Sequence, residues 1–288
     1  MENGYKIILD ELRICFKAKD IKTLSLLKEV EVGESLIVGE YTFSRVVNDK
    51  FRFYYDVFDY SNRIAVLKFL RYSDFVEGTY YVYLKVANHV LYNEMLLRKI
   101  VMTLPNLFDL EINNFTSIDI ALDCRLNIPS MIKKLMRNRE LYTIINGKKV
   151  DNRKGILNGV CFEYSTSLDR LNSPSITIKQ KKAIKNKNDG IIVQAYDKRN
   201  EIEKNSEKHY ILDYHGNPKR LFRLEVRLRY QELKDYLNKL GLVPQIEIIL
   251  NNKLLEDMFF YHLSSVIRFT KGRKKLDWRT LIKCNGRG

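Results

Sequence analysis

The chain has 288 residues, 45% hydrophobic and 11% aromatic, so it can bury a core and is not of the disordered type. Its 50 Lys and Arg against 35 Asp and Glu give a net charge of +15, and a pI near 9.5 favours a polyanionic partner such as nucleic acid or an anionic membrane surface. No window approaches the ~18 consecutive apolar residues of a membrane span, and MENGYKIILDELRICF begins with acids rather than a basic leader, so a cytoplasmic protein is expected. Cys15, Cys124, Cys161 and Cys284 form no CxxC pair, which argues against a zinc ribbon or a disulfide framework.

In chain order, KFRFYYDVFDY (50–60) and GTYYVYLKVANHVLYNE (78–94) are rich in aromatic and β-branched residues and read as strands. MLLRKIVMTLPNLFDL repeats its apolar residues at three and four, predicting a helix that breaks before Pro105. FTSIDIALDC (115–124) alternates with period two, and Asn127 with Pro129 makes a helix start for SMIKKLMRNRELY. Residues 141–190 read as strands joined by turns, with GVCFEYSTS and SITIKQ the clearest. GIIVQAYDK and RLFRLEVRLRY are further strands, leading into helices RNEIEKN and QELKDYLNKLG. IEIILNNKLLEDMFFYHLSSVIRF has a helical pattern, and TKGRKKLDWRTLIKCNGRG reads as a basic tail. The order predicts an α+β fold: an antiparallel-rich central sheet with helices packed on one face, residues 1–245 forming the main domain and 246–288 a C-terminal helix and tail. Two rounds of strand, strand, helix, strand have the form of a distant internal duplication.

Alternation puts Ser117, Asp119, Ala121 and Asp123 on one strand face, with Ile118, Ile120 and Leu122 on the other. The two acids stand roughly 13 Å apart at about 3.3 Å per residue, so they reach one ion only if the strand bends. In RLFRLEVRLRY, Leu224, Val226 and Leu228 form the apolar face, and Arg223, Glu225, Arg227 and Arg229 the polar one. If the two strands are neighbours, Glu225 and Asp119 can offer oxygen ligands to a hard cation while the arginines hold phosphates. Spacing alone fits equally a solvated sheet face on which Glu225 offsets arginine charge. A tyrosine hydroxyl can attack a phosphodiester when a metal polarises the phosphate. Among 18 tyrosines, Tyr230 ends the Glu225 strand and Tyr236 lies on the next helix, where core packing is equally expected. Tyr196 and Lys198 share a strand end, and Lys198 could stand as a point charge against a phosphate or simply on the surface. The histidines His89, His209, His215 and His262 contain no HxH pair.

Taken in order, FTSIDIALD (115–123), AYDKRNE (195–201) and LFRLEVRLRYQELKDYLNKLGLVP (221–244) resemble the rolling-circle replication initiators of filamentous phages and plasmids and the related relaxases, over about residues 80–245. The resemblance implies a nicking-domain fold of the Rep and relaxase kind and maps the family motifs onto Asp119, onto Tyr196, Lys198 and Glu201, and onto Arg223, Glu225 and Tyr236. DYLNKLGLVP is similar to the run around the phage nucleophile, which Tyr230 lacks; Ser117 stands where the family often has arginine. The expected machinery is then Tyr236 as nucleophile with Lys198 assisting. Asp119 and Glu225, with Asp123, would be ligands to Mg²⁺ or Mn²⁺. Arg223, Arg227, Arg229, Lys148, Lys149, Lys181, Lys182 and Lys185 would contact DNA. The implied partners are an origin hairpin or single-stranded nick site and a host helicase and polymerase, with a homodimer left open. A relaxase of a mobilisable element and a non-enzymatic origin-binding protein are the alternatives, separated by DNA target and by nicking.

Overall fold

A computed structural model of the chain describes residues 4–18, 20–71, 80–150, 162–163, 175–180, 183 and 190–285. The strands are β1 (Tyr5–Ala18), β2 (Ser35–Val38), β3 (Tyr41–Arg45), β4 (Phe51–Asp59), β5 (Asn62–Arg71), β6 (Tyr81–Val86), β7 (Leu110–Cys124), β8 (Tyr142–Ile145), β9 (Lys148–Val150), β10 (Phe162–Glu163), β11 (Ile176–Lys179), β12 (Ile192–Asp197), β13 (Phe222–Arg229), β14 (Ile267–Lys271) and β15 (Lys274–Lys275). The helices are α1 (Ser25–Glu29), α2 (Glu94–Leu107), α3 (Ile128–Arg137), α4 (Lys198–Asn205), α5 (His209–Tyr214), α6 (Tyr230–Lys239), α7 (Ile246–Leu250), α8 (Asn252–Val266) and α9 (Trp278–Asn285). The chain is α+β, and every described strand register is antiparallel.

The residues fall into two compact units, one of Met1–Ile8, Asp119–Glu232 and Asn251–Gly288, the other of Leu9–Ile118 and Leu233–Leu250. This differs from the expected division at 245, because Asn251–Gly288 clusters with the segment that carries Asp119 and Glu225.

In the second unit the strand order is β1-β6-β5-β4-β3-β2. Strand β4 shows why it forms: Phe51, Phe53, Tyr55 and Val57 are buried while Arg52, Tyr54 and Asp56 are less so, and Phe53 stacks on Phe69 of β5 at 4.9 Å. Within the described part of the predicted strand 78–94, β6 ends at Val86, and Asn88–Tyr92 turn into a 3-10 helix that buries Val90, Leu91 and Tyr92. Asn93 caps α2 by accepting from the Leu96 N–H, and the helix runs past Pro105 to Leu107. Only one backbone bond is lost so close to the end, which is why proline does not stop the helix earlier.

In the first unit the sheet order is β10-β11-β12-β13-β7. Asn127 accepts from the Ser130 N–H and Pro129 sits in the first turn of α3, as predicted. The long C-terminal helix is instead interrupted at Asn251, which caps α8 by accepting from the Leu254 N–H, and Ile267 onwards is strand. The expected basic tail is folded: β14 and β15 form a hairpin, and Trp278 of α9 is buried, donating from Nε1 to the Ile267 carbonyl at 3.0 Å. A second sheet results, ordered β15-β14-β8-β9. Its β8–β9 turn is Asn146-Gly147, with φ of 49° and 79°, the left-handed pair that a two-residue hairpin of this twist requires. GVCFEYSTS lies mostly outside the described residues, with only Phe162–Glu163 seen as strand, as do Lys181, Lys182 and Lys185.

Candidate active site

Strands β7 and β13 are hydrogen-bonded neighbours, the arrangement that the two polar strand faces need in order to meet. On the far side of β13, Gln194 of β12 pairs with Glu225 and Tyr196 with Arg223. Directly paired residues share a face, so Tyr196 and Gln194 join Arg223, Glu225, Arg227 and Arg229.

Five side chains are linked on this face. The Tyr196 hydroxyl donates to Glu225 Oε2 at 3.1 Å, and Arg227 Nε donates to Glu225 Oε1 at 2.6 Å. The same Arg227 Nε lies 3.6 Å from Asp119 Oδ2, and Arg229 Nη1 donates to Asp119 Oδ1 at 3.1 Å. Asp119 and Glu225 are both buried, and two buried carboxylates so close are tolerated only because guanidinium charge lies between them. Burial works against the charged form of Arg227, yet Glu225 and Asp119 outweigh it and hold its pKa above the ordinary value.

Asp123 belongs to a different cluster. Arg223 grips it with two bonds, Nε to Oδ1 and Nη2 to Oδ2, each 2.7 Å, and His215 Nε2 lies 3.0 Å from Oδ2. Asp123 and Arg223 are fully buried. Burial pushes the Asp123 carboxyl up, but Arg223 and His215 together hold it below the usual carboxylate range. Asp123, expected as a metal ligand, and Arg223, expected at DNA, are thus bonded to each other inside the core. Lys198 is 3% exposed, and its Nζ donates to Glu201 Oε2 at 2.7 Å. A buried ammonium needs such a partner. Nothing in the sequence signalled His215, which stands just after α5 and 92 positions from Asp123.

Of the tyrosines, Tyr230 opens α6 at 41% exposure, while Tyr236 is 5% exposed among the buried residues Leu233 and Leu237 of the same helix. Arg227 and Arg229 engage carboxylates here, and Lys148 and Lys149 are exposed on β9.

Among the described residues no three His, Cys, Asp or Glu side chains are placed to hold a metal ion. The pair Asp119 and Glu225 nevertheless suits a hard cation of the magnesium kind, which is commonly bound through one or two carboxylates with water and substrate phosphate completing the shell. Arg227 lies where a cation's positive charge would be welcome, and its side chain, 35% exposed, has room to leave.

The solved structure of a rolling-circle replication initiator protein from Geobacillus stearothermophilus aligns with 98% of this chain and 96% of its own, with a TM-score of 0.51 and 12% sequence identity. The fold is that of a rolling-circle initiator. At this identity the likeness is one of architecture. No family model matches the sequence, and no curated protein does. In this initiator fold the Asp119, Glu225 and Arg227 group occupies the polar face of two neighbouring strands. No helix among the described residues is long and apolar enough to cross a membrane.

Proposed function

We propose that this chain initiates rolling-circle replication by nicking one strand of DNA at an origin. The observation that carries the reading is the convergence of Asp119 and Glu225 on one arginine nitrogen within an initiator fold. A bound Mg²⁺ or Mn²⁺ held by these two carboxylates would polarise the scissile phosphate and neutralise its developing charge. Arg227 and Arg229, released from the carboxylates, then turn to phosphate oxygens, for which a guanidinium is well shaped. Tyr236 supplies the hydroxyl oxygen that bonds to phosphorus. The P–O3′ bond breaks, and the tyrosine's proton is delivered to the departing oxygen, leaving a 5′-phosphotyrosyl strand and a free 3′ hydroxyl for leading-strand synthesis. One phosphate ester replaces another, so the step is near balance and rejoining needs no ATP. Tyr196 holds Glu225 by its hydroxyl and Lys198 holds Glu201, which makes both positioning residues. A second reading, with Tyr230 as nucleophile, is favoured by its exposure and by its place directly after Arg229.

Asp119→Ala and Glu225→Ala should each lower Mn²⁺-dependent nicking of supercoiled origin plasmid by about a hundredfold or more, several kcal/mol of lost charge stabilisation. DNA affinity should stay the same or rise, because each change removes a negative charge and frees an arginine. Undiminished nicking by either variant at low Mn²⁺ removes that carboxylate from the reaction.

Binding should weaken steeply with salt, since each phosphate contact displaces counterions and contributes a log–log slope of about −0.9 on duplex and about −0.7 on single strands. The +15 charge motivates this. Affinity that hardly changes between 50 and 200 mM salt, taken as approximate working limits, would rule out a polyanionic partner.

A further inference from the structure

The four-stranded sheet β15-β14-β8-β9 lies outside the nicking motifs and has two unlike faces. Thr143, Ile145 and Val150 are buried on one side with Ile267 and Phe269, against which Trp278 packs at 5.6 Å. The registers define the other side. Tyr142 pairs with Thr270 and Thr270 with Lys275, forming one row; Lys149 pairs with Ile144 and Ile144 with Arg268, forming the next. Tyr142 is 43% exposed, and Lys149 Nζ sits 3.3 Å from its ring centroid. Lys148, paired with Ile145, and Lys271, paired with Lys274, fall by register on the rows of the buried side at opposite hairpin ends, and Lys271 forms an ion pair with Glu140. Among the described residues Lys149, Arg268 and Lys275 take part in no ion pair.

We propose that this face is a binding platform for single-stranded DNA, with Tyr142 stacking on a base and Lys149, Arg268 and Lys275 following the backbone. The inference rests on the nicking reading for its biological sense, since a nicked origin presents single strands, but not for its physics. Positive charge selects a polyanion, and an open aromatic ring among cations is the device by which sequence-tolerant single-strand binders hold bases. Bases in a duplex are already stacked, so a ring on an exposed sheet face gains contacts only with an unpaired strand. On binding, the base takes Lys149's place over the ring and the ammonium passes to the adjacent phosphate.

The test is fluorescence anisotropy of the full chain with labelled oligothymidylate and with a duplex of equal length, alongside Mn²⁺-dependent nicking of an origin oligonucleotide. Tyr142→Ala should weaken single-strand binding about tenfold, change duplex binding less than about twofold, and leave the melting temperature in place because the side chain faces outward. Tyr142→Phe, which keeps the ring, should bind as the wild type does. Lys149→Ala and Lys275→Ala should each reduce the salt slope by about 0.7. Equal losses on single strand and duplex, or no loss from Tyr142→Ala, would overturn the platform, as would binding of anionic phospholipid vesicles in preference to oligothymidylate. A wild type that binds single strands through Tyr142 but nicks nothing would sink the nicking reading alone.

Discussion

Tyr236→Phe is expected to abolish nicking and the protein–DNA adduct while DNA binding and fold persist. The substitution deletes one hydroxyl and keeps the ring, so packing beside Leu233 and Leu237 is retained, and the side chain's burial argues for little change in stability beyond loss of whatever the hydroxyl bonds. The loss in rate should be complete within detection, since phenylalanine has no oxygen to form the phosphotyrosyl bond. At 5% exposure Tyr236 must gain access to a phosphate for this to hold, whereas Tyr230 is already 41% exposed. Tyr230→Phe is therefore the decisive companion and is expected to stay active. Labelled origin oligonucleotide, denaturing gels and peptide mapping of the adduct separate the two. An adduct on Tyr230 moves the nucleophile to the start of the helix and keeps the reaction class. Cleavage without any protein–DNA adduct overturns tyrosine attack altogether.

The strands that carry the site were readable because alternation is a local property. FTSIDIALDC and RLFRLEVRLRY each separate acids and arginines from leucine, isoleucine and valine, and both fold as the pattern demands. Period two also placed Asp119 and Asp123 on one face, but it could not say that they serve different clusters. That difference comes from Arg223, 100 positions from Asp123, and from His215 at a helix end. Tertiary partners of this kind leave no local trace. The tail 270–288 was misread for a related reason: the four basic residues of KGRKK masked the hairpin, and Trp278 declares itself only once β14 offers it the Ile267 carbonyl. Asn251 could have been read as a cap inside the apparent long helix, since asparagine ahead of a leucine-rich run is a start signal.

The Asp123 cluster should have the largest effect on stability. Asp123→Ala leaves the Arg223 guanidinium buried without its two 2.7 Å bonds, and breaking a buried pair from one side costs about 3–5 kcal/mol. The loss comes from the stranded charge rather than from the worth of the pair. A double change, Asp123→Leu with Arg223→Met, should therefore recover more than half of it, because an apolar pair of similar bulk has no charge to desolvate. The pair also predicts an acid limb. Arg223 and His215 hold the Asp123 carboxyl below its ordinary value against the pull of burial, so its contribution is fully present above the unfolded-state pKa of about 3.9 and is lost as pH falls through the lower folded value. Urea unfolding of the wild type should accordingly lose stability below about pH 4, and the double variant should lose less over the same interval. A cost under about 1 kcal/mol for Asp123→Ala, or an unchanged acid limb in the double variant, would mean that Asp123 and Arg223 are not the buried pair described. It would also reopen Asp123 as a ligand beside Asp119, which metal titration of the Asp119→Ala protein would then decide.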